Sequence, residues 1–144
     1  MLIAIFGESC TGKSTVAEKL GKPLNAEVYT GKDYLRLAKN EAIAKKMFSN
    51  LLKSSVSGAN LIYVIAEKEH LSLLPEGTVR VLMTADLELI LERFTNRMHG
   101  SLPLPVKTML EKKHGIFDRE QHDYHIHNGE DLDTVCTAIA SIKN

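Results

Sequence analysis

The chain carries no net charge: 18 lysines and arginines balance 18 aspartates and glutamates over 144 residues. That balance gives no support to general binding of nucleic acid, which draws on a basic excess. Cysteine is scarce as well. Cys10 and Cys136 lie far apart, form no metal-binding or redox spacing, and are not needed as a disulfide in a domain of this size. No apolar run approaches the roughly 20 residues that cross a bilayer. The apolar opening, Met1 to Phe6, lacks a basic flank and runs into Gly7-Glu8-Ser9 rather than a longer apolar stretch with a cleavage site, so it does not read as a signal peptide. The expectation is a cytoplasmic protein with no membrane or nucleic-acid partner. Internal repeats, linkers and low-complexity segments are also missing, which leaves a single domain over residues 1–144.

What is present is organised. Positive charge gathers in two internal segments, six bases against two acids between Lys32 and Lys53, and again between Arg93 and Arg119. Short apolar or β-branched runs at 2–6, 26–30, 61–66, 79–84 and 124–127 read as strands. Between them fall helical patterns: from about Gly12 to Gly21-Lys22-Pro23, from Asp33 to about Ser57 as one helix or two, 68–74, 86–98, up to about His114, and 131–142. Strands alternating with helices predict an α/β, three-layer fold, a five-stranded parallel sheet with helices on both faces.

The strongest motif closes the first strand. Gly7-Glu8-Ser9-Cys10-Thr11-Gly12-Lys13-Ser14 matches the phosphate-binding P-loop pattern at every fixed position, with a strand before it and an amphipathic helix after it. Glycine lets the backbone curl until its N–H groups, with those of Ser9, Cys10 and Thr11, point at phosphate oxygens, and the helix N-terminus adds partial positive charge. Lys13 is placed to reach the β- and γ-phosphates, Ser14 to hold Mg²⁺, and Thr15 to add a hydroxyl. ATP and Mg²⁺ are therefore the expected cofactors.

No guanine-reading N-K-x-D sequence is present. The length, the N-terminal P-loop and the five strands resemble the nucleoside monophosphate kinase group, to which cytidylate, adenylate and guanylate kinases belong, with shikimate and gluconate kinases as near relatives. The resemblance covers essentially the whole chain. Thr30-Gly31-Lys32-Asp33-Tyr34-Leu35-Arg36 is similar to the T-G-x-x-Y-R segment with which cytidylate kinases hold the acceptor nucleotide, with Arg36 one residue later than in that pattern. It implies that Thr30, Gly31, Asp33, Tyr34 and Arg36 bind the acceptor, within an acceptor-binding helical segment at about 31–57. The resemblance also implies a lid at about 98–106, hinged at Arg93 and Arg97, whose charge neutralises the transferring phosphoryl group. Glu67, with Glu69 nearby, falls where such proteins place the acid that organises Mg²⁺ through water, and Asn128-Gly129 resembles the turn beside the adenine.

Residue chemistry leaves some of these readings double. Asp33 serves equally as a helix N-cap or as a group that orients an acceptor hydroxyl and takes its proton. Arg93 and Arg97, four apart and on one helix face, serve equally as phosphate ligands or as partners of Glu88 and Glu92. His114, His122, His125 and His127 crowd one region without matching a metal signature, and read as ordinary polar or half-buried histidines. Cys10 at the helix start is a candidate reactive thiol. The expected function is ATP- and Mg²⁺-dependent phosphoryl transfer to a nucleoside monophosphate of the cytidylate kind, by a monomer or homodimer. A kinase of a small hydroxylated metabolite using Asp33, and a non-catalytic nucleotide-binding module, are the alternatives.

Overall fold

A computed structural model describes residues 1–142. Five strands alternate with helices as the periodicities require: β1 (Leu2–Gly7), α1 (Lys13–Leu24), β2 (Glu27–Thr30), α2 (Glu41–Ser55), β3 (Leu61–Ile65), β4 (Val79–Thr84), α3 (Leu87–Arg97), α4 (Leu104–Lys113), β5 (Tyr124–His127) and α5 (Leu132–Ile142). Short 3-10 turns cover Asp33–Leu37 and Lys68–Leu73. All neighbouring strands pair parallel, in the order β2-β3-β1-β4-β5. β1 is central, and every one of its residues is buried. Its neighbours reach it by crossovers on opposite sides, so the chain reverses direction at β1. In open parallel sheets, that switch point at the carboxyl edge is where ligands bind.

The strand pleat divides the core. Ile3, Ile5, Ile62, Val64, Val81 and Met83 face α1 and α5, packing on Val16, Leu20 and Ile139. On the other face, Leu2, Phe6, Tyr63, Ile65 and Leu82 meet α2 through Ala44, Phe48 and Leu52. Phe48 anchors this second layer, with its ring 4.8 Å from Tyr63, 5.1 Å from Tyr29 and 5.3 Å from Tyr34. A smaller cluster joins Cys10, Ala85, Ile90 and Leu110 to Phe94, Leu102 and Val106, seating α3 and α4 beside the phosphate-binding loop. None of the helices is long and apolar enough to cross a membrane among the described residues.

Two boundaries differ from the expectation. α1 does not stop at Gly21-Lys22-Pro23 but continues to Leu24, because Pro23 lies in the last turn, where its missing N–H removes a single hydrogen bond. Asn25, left-handed at φ 48°, then closes the helix through its N–H to the Gly21 and Lys22 carbonyls. The stretch 33–57 is broken: the 3-10 turn ends before Ala38, and Asn40 starts α2 by accepting the Ile43 amide at 3.0 Å.

Candidate active site

The site begins where β1 ends. At Gly7 a Cβ would stand 2.1 Å from the Met83 carbonyl oxygen, so β4 can lie this close only to glycine. The loop then winds through Cys10 (φ 62°) and Gly12 (φ 95°), both left-handed, and enters α1 at Lys13. Thr11 Oγ1 donates to the Glu8 carbonyl at 2.8 Å, and Lys13 Nζ donates to the same oxygen at 2.5 Å. Lys13 is buried, and desolvation pushes its ammonium down to about 8 from 10.5; nearby Arg97 adds to the fall, while Cys10 and Glu8 oppose it. Its one hydrogen-bond partner is a neutral carbonyl, so the site has a buried cation without a carboxylate. Such a group fits an anionic phosphate. Ser14 and Thr15 stand exposed at the head of α1, and their hydroxyls have no intramolecular partner among the described residues.

A cavity of about 620 Å³ opens over this loop, walled by Ser9 through Thr15 and by Thr30, Ala66, Arg93, Arg97 and Gly129. α3 thus delivers both arginines to the phosphate-binding loop. Arg93 Nη1 donates to the Cys10 carbonyl at 2.8 Å, and the Arg97 guanidinium lies 5.7 Å from the Phe94 ring centre. Neither arginine pairs with a carboxylate among the described residues, so the reading that paired them with Glu88 or Glu92 is set aside. The loop predicted as a lid leaves α3 through His99 and Gly100, both at positive φ, and leads into α4 at Leu104.

The acceptor segment departs from its expected arrangement. Thr30 lines the cavity, and its amide donates to Asp33 Oδ2 at 2.8 Å, leaving the other oxygen of that exposed carboxylate free. Gly31, at φ 55°, accepts the Tyr63 hydroxyl at 2.7 Å on its carbonyl. Tyr34 does not reach the cavity. Its ring is 3% exposed and stacked on Phe48, because the 3-10 turn directs it into the second core layer. Arg36 is also turned away: its guanidinium lies 4.3 Å over the Tyr29 ring and 3.4 Å from Glu27 Oε1, against the outer strand β2.

Glu67 follows Ala66 but is not among the residues that wall the cavity; it stands with Glu69 and His70. Asn128 holds the loops together: its Oδ1 accepts the Asp86 amide at 2.9 Å, and its Nδ2 donates to Asp86 Oδ2 at 2.9 Å. Gly129 and Leu132, rather than the Asn128 side chain, border the nucleotide cavity. Cys10 is buried against Ala85, Ile90 and Leu110 and also borders the cavity.

The four histidines line a separate hollow of about 310 Å³ with Glu8, Thr84, Asp86 and Asp118. His125 and His127 point to one side of β5, and both reach Thr84 Oγ1, through Nε2 and Nδ1 respectively, at 2.7 Å. His127 Nε2 donates to Asp86 Oδ1 at 3.1 Å. A carboxylate only accepts, so in the neutral form of His127 that donates to Asp86 the ring has a lone pair at Nδ1, which takes the Thr84 proton. Thr84 in turn accepts from His125 Nε2–H. In that form the chain of bonds has one direction, from His125 to Asp86. Burial, then the charges of His122 and His127, hold His125 below its ordinary value. Sequence gave no signal of this network, because Thr84 and Asp86 are brought to β5 only by the parallel register.

An intact phosphate-binding loop at the switch point of this sheet defines a P-loop nucleotide-binding fold. No protein-family model matches the chain. It is 28% identical over 142 residues to the shikimate kinase of Pelotomaculum thermopropionicum, covering 83% of each chain. Among solved structures, the shikimate kinase from Acinetobacter baumannii in complex with shikimate superposes with a TM-score of 0.65 at 18% identity, over 99% of this chain and 94% of that one. A gluconokinase from Sinorhizobium meliloti gives 0.60 at 12%, over 98% and 94%. The structural likenesses concern the fold, and the sequence likeness together with the complete loop makes the chain similar to the P-loop kinase group.

Proposed function

We propose that the chain transfers the γ-phosphoryl group of ATP to a hydroxyl of a small metabolite. The observation that carries this reading is the exchange of roles in the acceptor segment. Arg36, the cation expected to grip a monophosphate, is engaged by Tyr29 and Glu27, whereas Asp33 is bonded to the amide of the cavity-lining Thr30 and has one carboxylate oxygen without a partner among the described residues. The sequence likeness to a shikimate kinase supports a hydroxylated acceptor over the cytidylate-like one.

In this reading the loop amides and Lys13 hold the donor phosphates, and their charge restores the proton affinity that Lys13 loses by burial. Arg93 and Arg97 offset charge on the transferring oxygens. Asp33, positioned by the Thr30 amide, orients the attacking hydroxyl and accepts its proton. Bound Mg²⁺ would supply further positive charge to the phosphates, with Ser14 as the residue that holds it. Catalysis here is positioning and electrostatics, with no covalent enzyme intermediate.

The test is transfer from labelled ATP to a panel of hydroxylated acids, sugars and polyols beside a panel of nucleoside monophosphates. Transfer to a hydroxylated metabolite that Asp33→Asn abolishes is the expected result. Transfer confined to monophosphates would restore the cytidylate-like reading, and none above the ATPase background would leave a nucleotide-binding module.

A further inference from the structure

We propose that Glu67, Glu69 and His70 form a binding site for a divalent transition-metal ion, separate from the Mg²⁺ position at Ser14. Their candidate ligand atoms, one from each side chain, all lie within 4.8 Å of one another. Around an ion with bonds of about 2.1 Å, tetrahedral ligands stand about 3.4 Å apart. The remaining closure is on the order of an ångström and falls to two exposed glutamates, whose side chains rotate freely.

The second observation is His70 itself. It is 6% exposed, and neither ring nitrogen has a hydrogen-bond partner among the described residues; Nδ1 in particular is buried and orphaned. Buried polar atoms are nearly always satisfied, and the orphaned Nδ1 has lost its water without compensation. Packing accounts for the ring: it sits 6.5 Å from Tyr34 and 6.4 Å from Tyr63. It does not account for the nitrogens. A His70 nitrogen that turns its lone pair toward Glu67 and Glu69 meets two further acceptors, an arrangement that a cation between the three would satisfy.

Local backbone holds the arrangement. The His70 amide donates to the Glu67 carbonyl at 3.0 Å, and Ser72 Oγ donates to the Glu69 carbonyl at 2.9 Å, which pins the 3-10 turn. The intervening Lys68 is turned away to Glu120 at 3.2 Å, so no ammonium neutralises the pair of acids. One imidazole nitrogen with two carboxylates suits ions of the manganese-to-zinc series. Mg²⁺ and Ca²⁺ prefer all-oxygen shells, and two carboxylates balance the charge of a dication. The turn follows Ala66 of the cavity, so the ion would lie near the carboxyl end of β3. This inference does not depend on transfer activity.

Nucleotide-free protein titrated with Zn²⁺ by calorimetry, and with Mn²⁺ by electron paramagnetic resonance, tests it. The expected result is one saturable ion per chain, retained in excess Mg²⁺. Glu69→Gln, at an exposed position that leaves folding intact, weakens it by about tenfold or more, and His70→Asn does the same. Ser14→Ala leaves it unchanged. The proposal is overturned by absence of saturable binding, or by binding that survives Glu69→Gln. Binding that Ser14→Ala or His125→Ala removes instead would overturn it too, since the ion would then sit in the P-loop or the histidine hollow.

Discussion

The carboxylate of Glu8 accepts a hydrogen bond from His114 Nδ1 at 3.0 Å, across 106 residues of chain. Its second oxygen accepts the Gly115 amide at 3.0 Å. Glu8 occupies a variable place in the phosphate-binding loop and is 7% exposed, so the turn that follows α4 is tied directly to the donor site. Glu8→Ala leaves the Gly115 amide and the His114 ring without a shared acceptor. It is expected to lower stability by about 2 kcal/mol, the scale of a buried charge-assisted pair. Chemical denaturation measures this, and Glu8→Gln should recover part of the loss.

Lys13 predicts a pH dependence. Its folded value, about 8, lies below the 10.5 of the free side chain, so the unfolded chain binds the proton more tightly between those values. Stability of the nucleotide-free protein therefore gains a contribution as pH rises from 8 to 10.5, and the burden of the buried charge is complete below 8. Nucleotide affinity runs the other way. It needs the ammonium and is expected to fall above pH 8, approaching tenfold per unit. Lys13→Met should flatten both profiles, as read by thermal unfolding and by nucleotide titration.

The two arginines of α3 should separate. Arg97 has no hydrogen-bond acceptor among the described residues and lines the cavity, so Arg97→Ala is expected to lower kcat by about 10²–10³-fold with the melting temperature unchanged. Arg93 also braces the loop through the Cys10 carbonyl, so Arg93→Ala should lower both kcat and nucleotide affinity. Equal effects on stability from both variants would count against this division.

Tyr34 and Arg36 offer a negative test of the acceptor segment. Tyr34→Ala empties a packed position and is expected to destabilise the chain by about 3–5 kcal/mol. Tyr34→Phe preserves the stacking on Phe48 and should leave acceptor KM unchanged. Arg36→Ala removes an exposed contact with Tyr29 and Glu27, and KM should again stay constant. A rise in KM for either of the last two would return these side chains to the binding site.

Thr84 is the joint between β4 and the histidines. Thr84→Val keeps the shape but removes both the donor to His127 and the acceptor for His125, at a cost of about 1–3 kcal/mol. Imidazole nitrogen chemical shifts in the two proteins would report whether the Nε2–H tautomers depend on that hydroxyl.

Much of this was legible in the chain. The strands and their alternation with helices follow from runs such as Leu61–Ile65, which are apolar on both pleats because both sheet faces are covered. The phosphate-binding loop was legible for a similar reason: its chemistry resides in backbone N–H groups, and consecutive residues suffice to encode it. Side-chain direction was not encoded locally. Tyr34 and Arg36 lie two apart in a motif-like segment, yet a five-residue 3-10 turn sends one into the core and the other to the outer strand. The partners of Glu8, Thr84 and His70 come from the register of β4 against β5, the turn after α4, and the packing of Tyr34 and Tyr63. By itself, then, the sequence determined the sheet and the phosphate-binding loop, both built from local patterns. Only the tertiary structure decided which side chains border the cavity, because that depends on contacts between residues far apart in the chain.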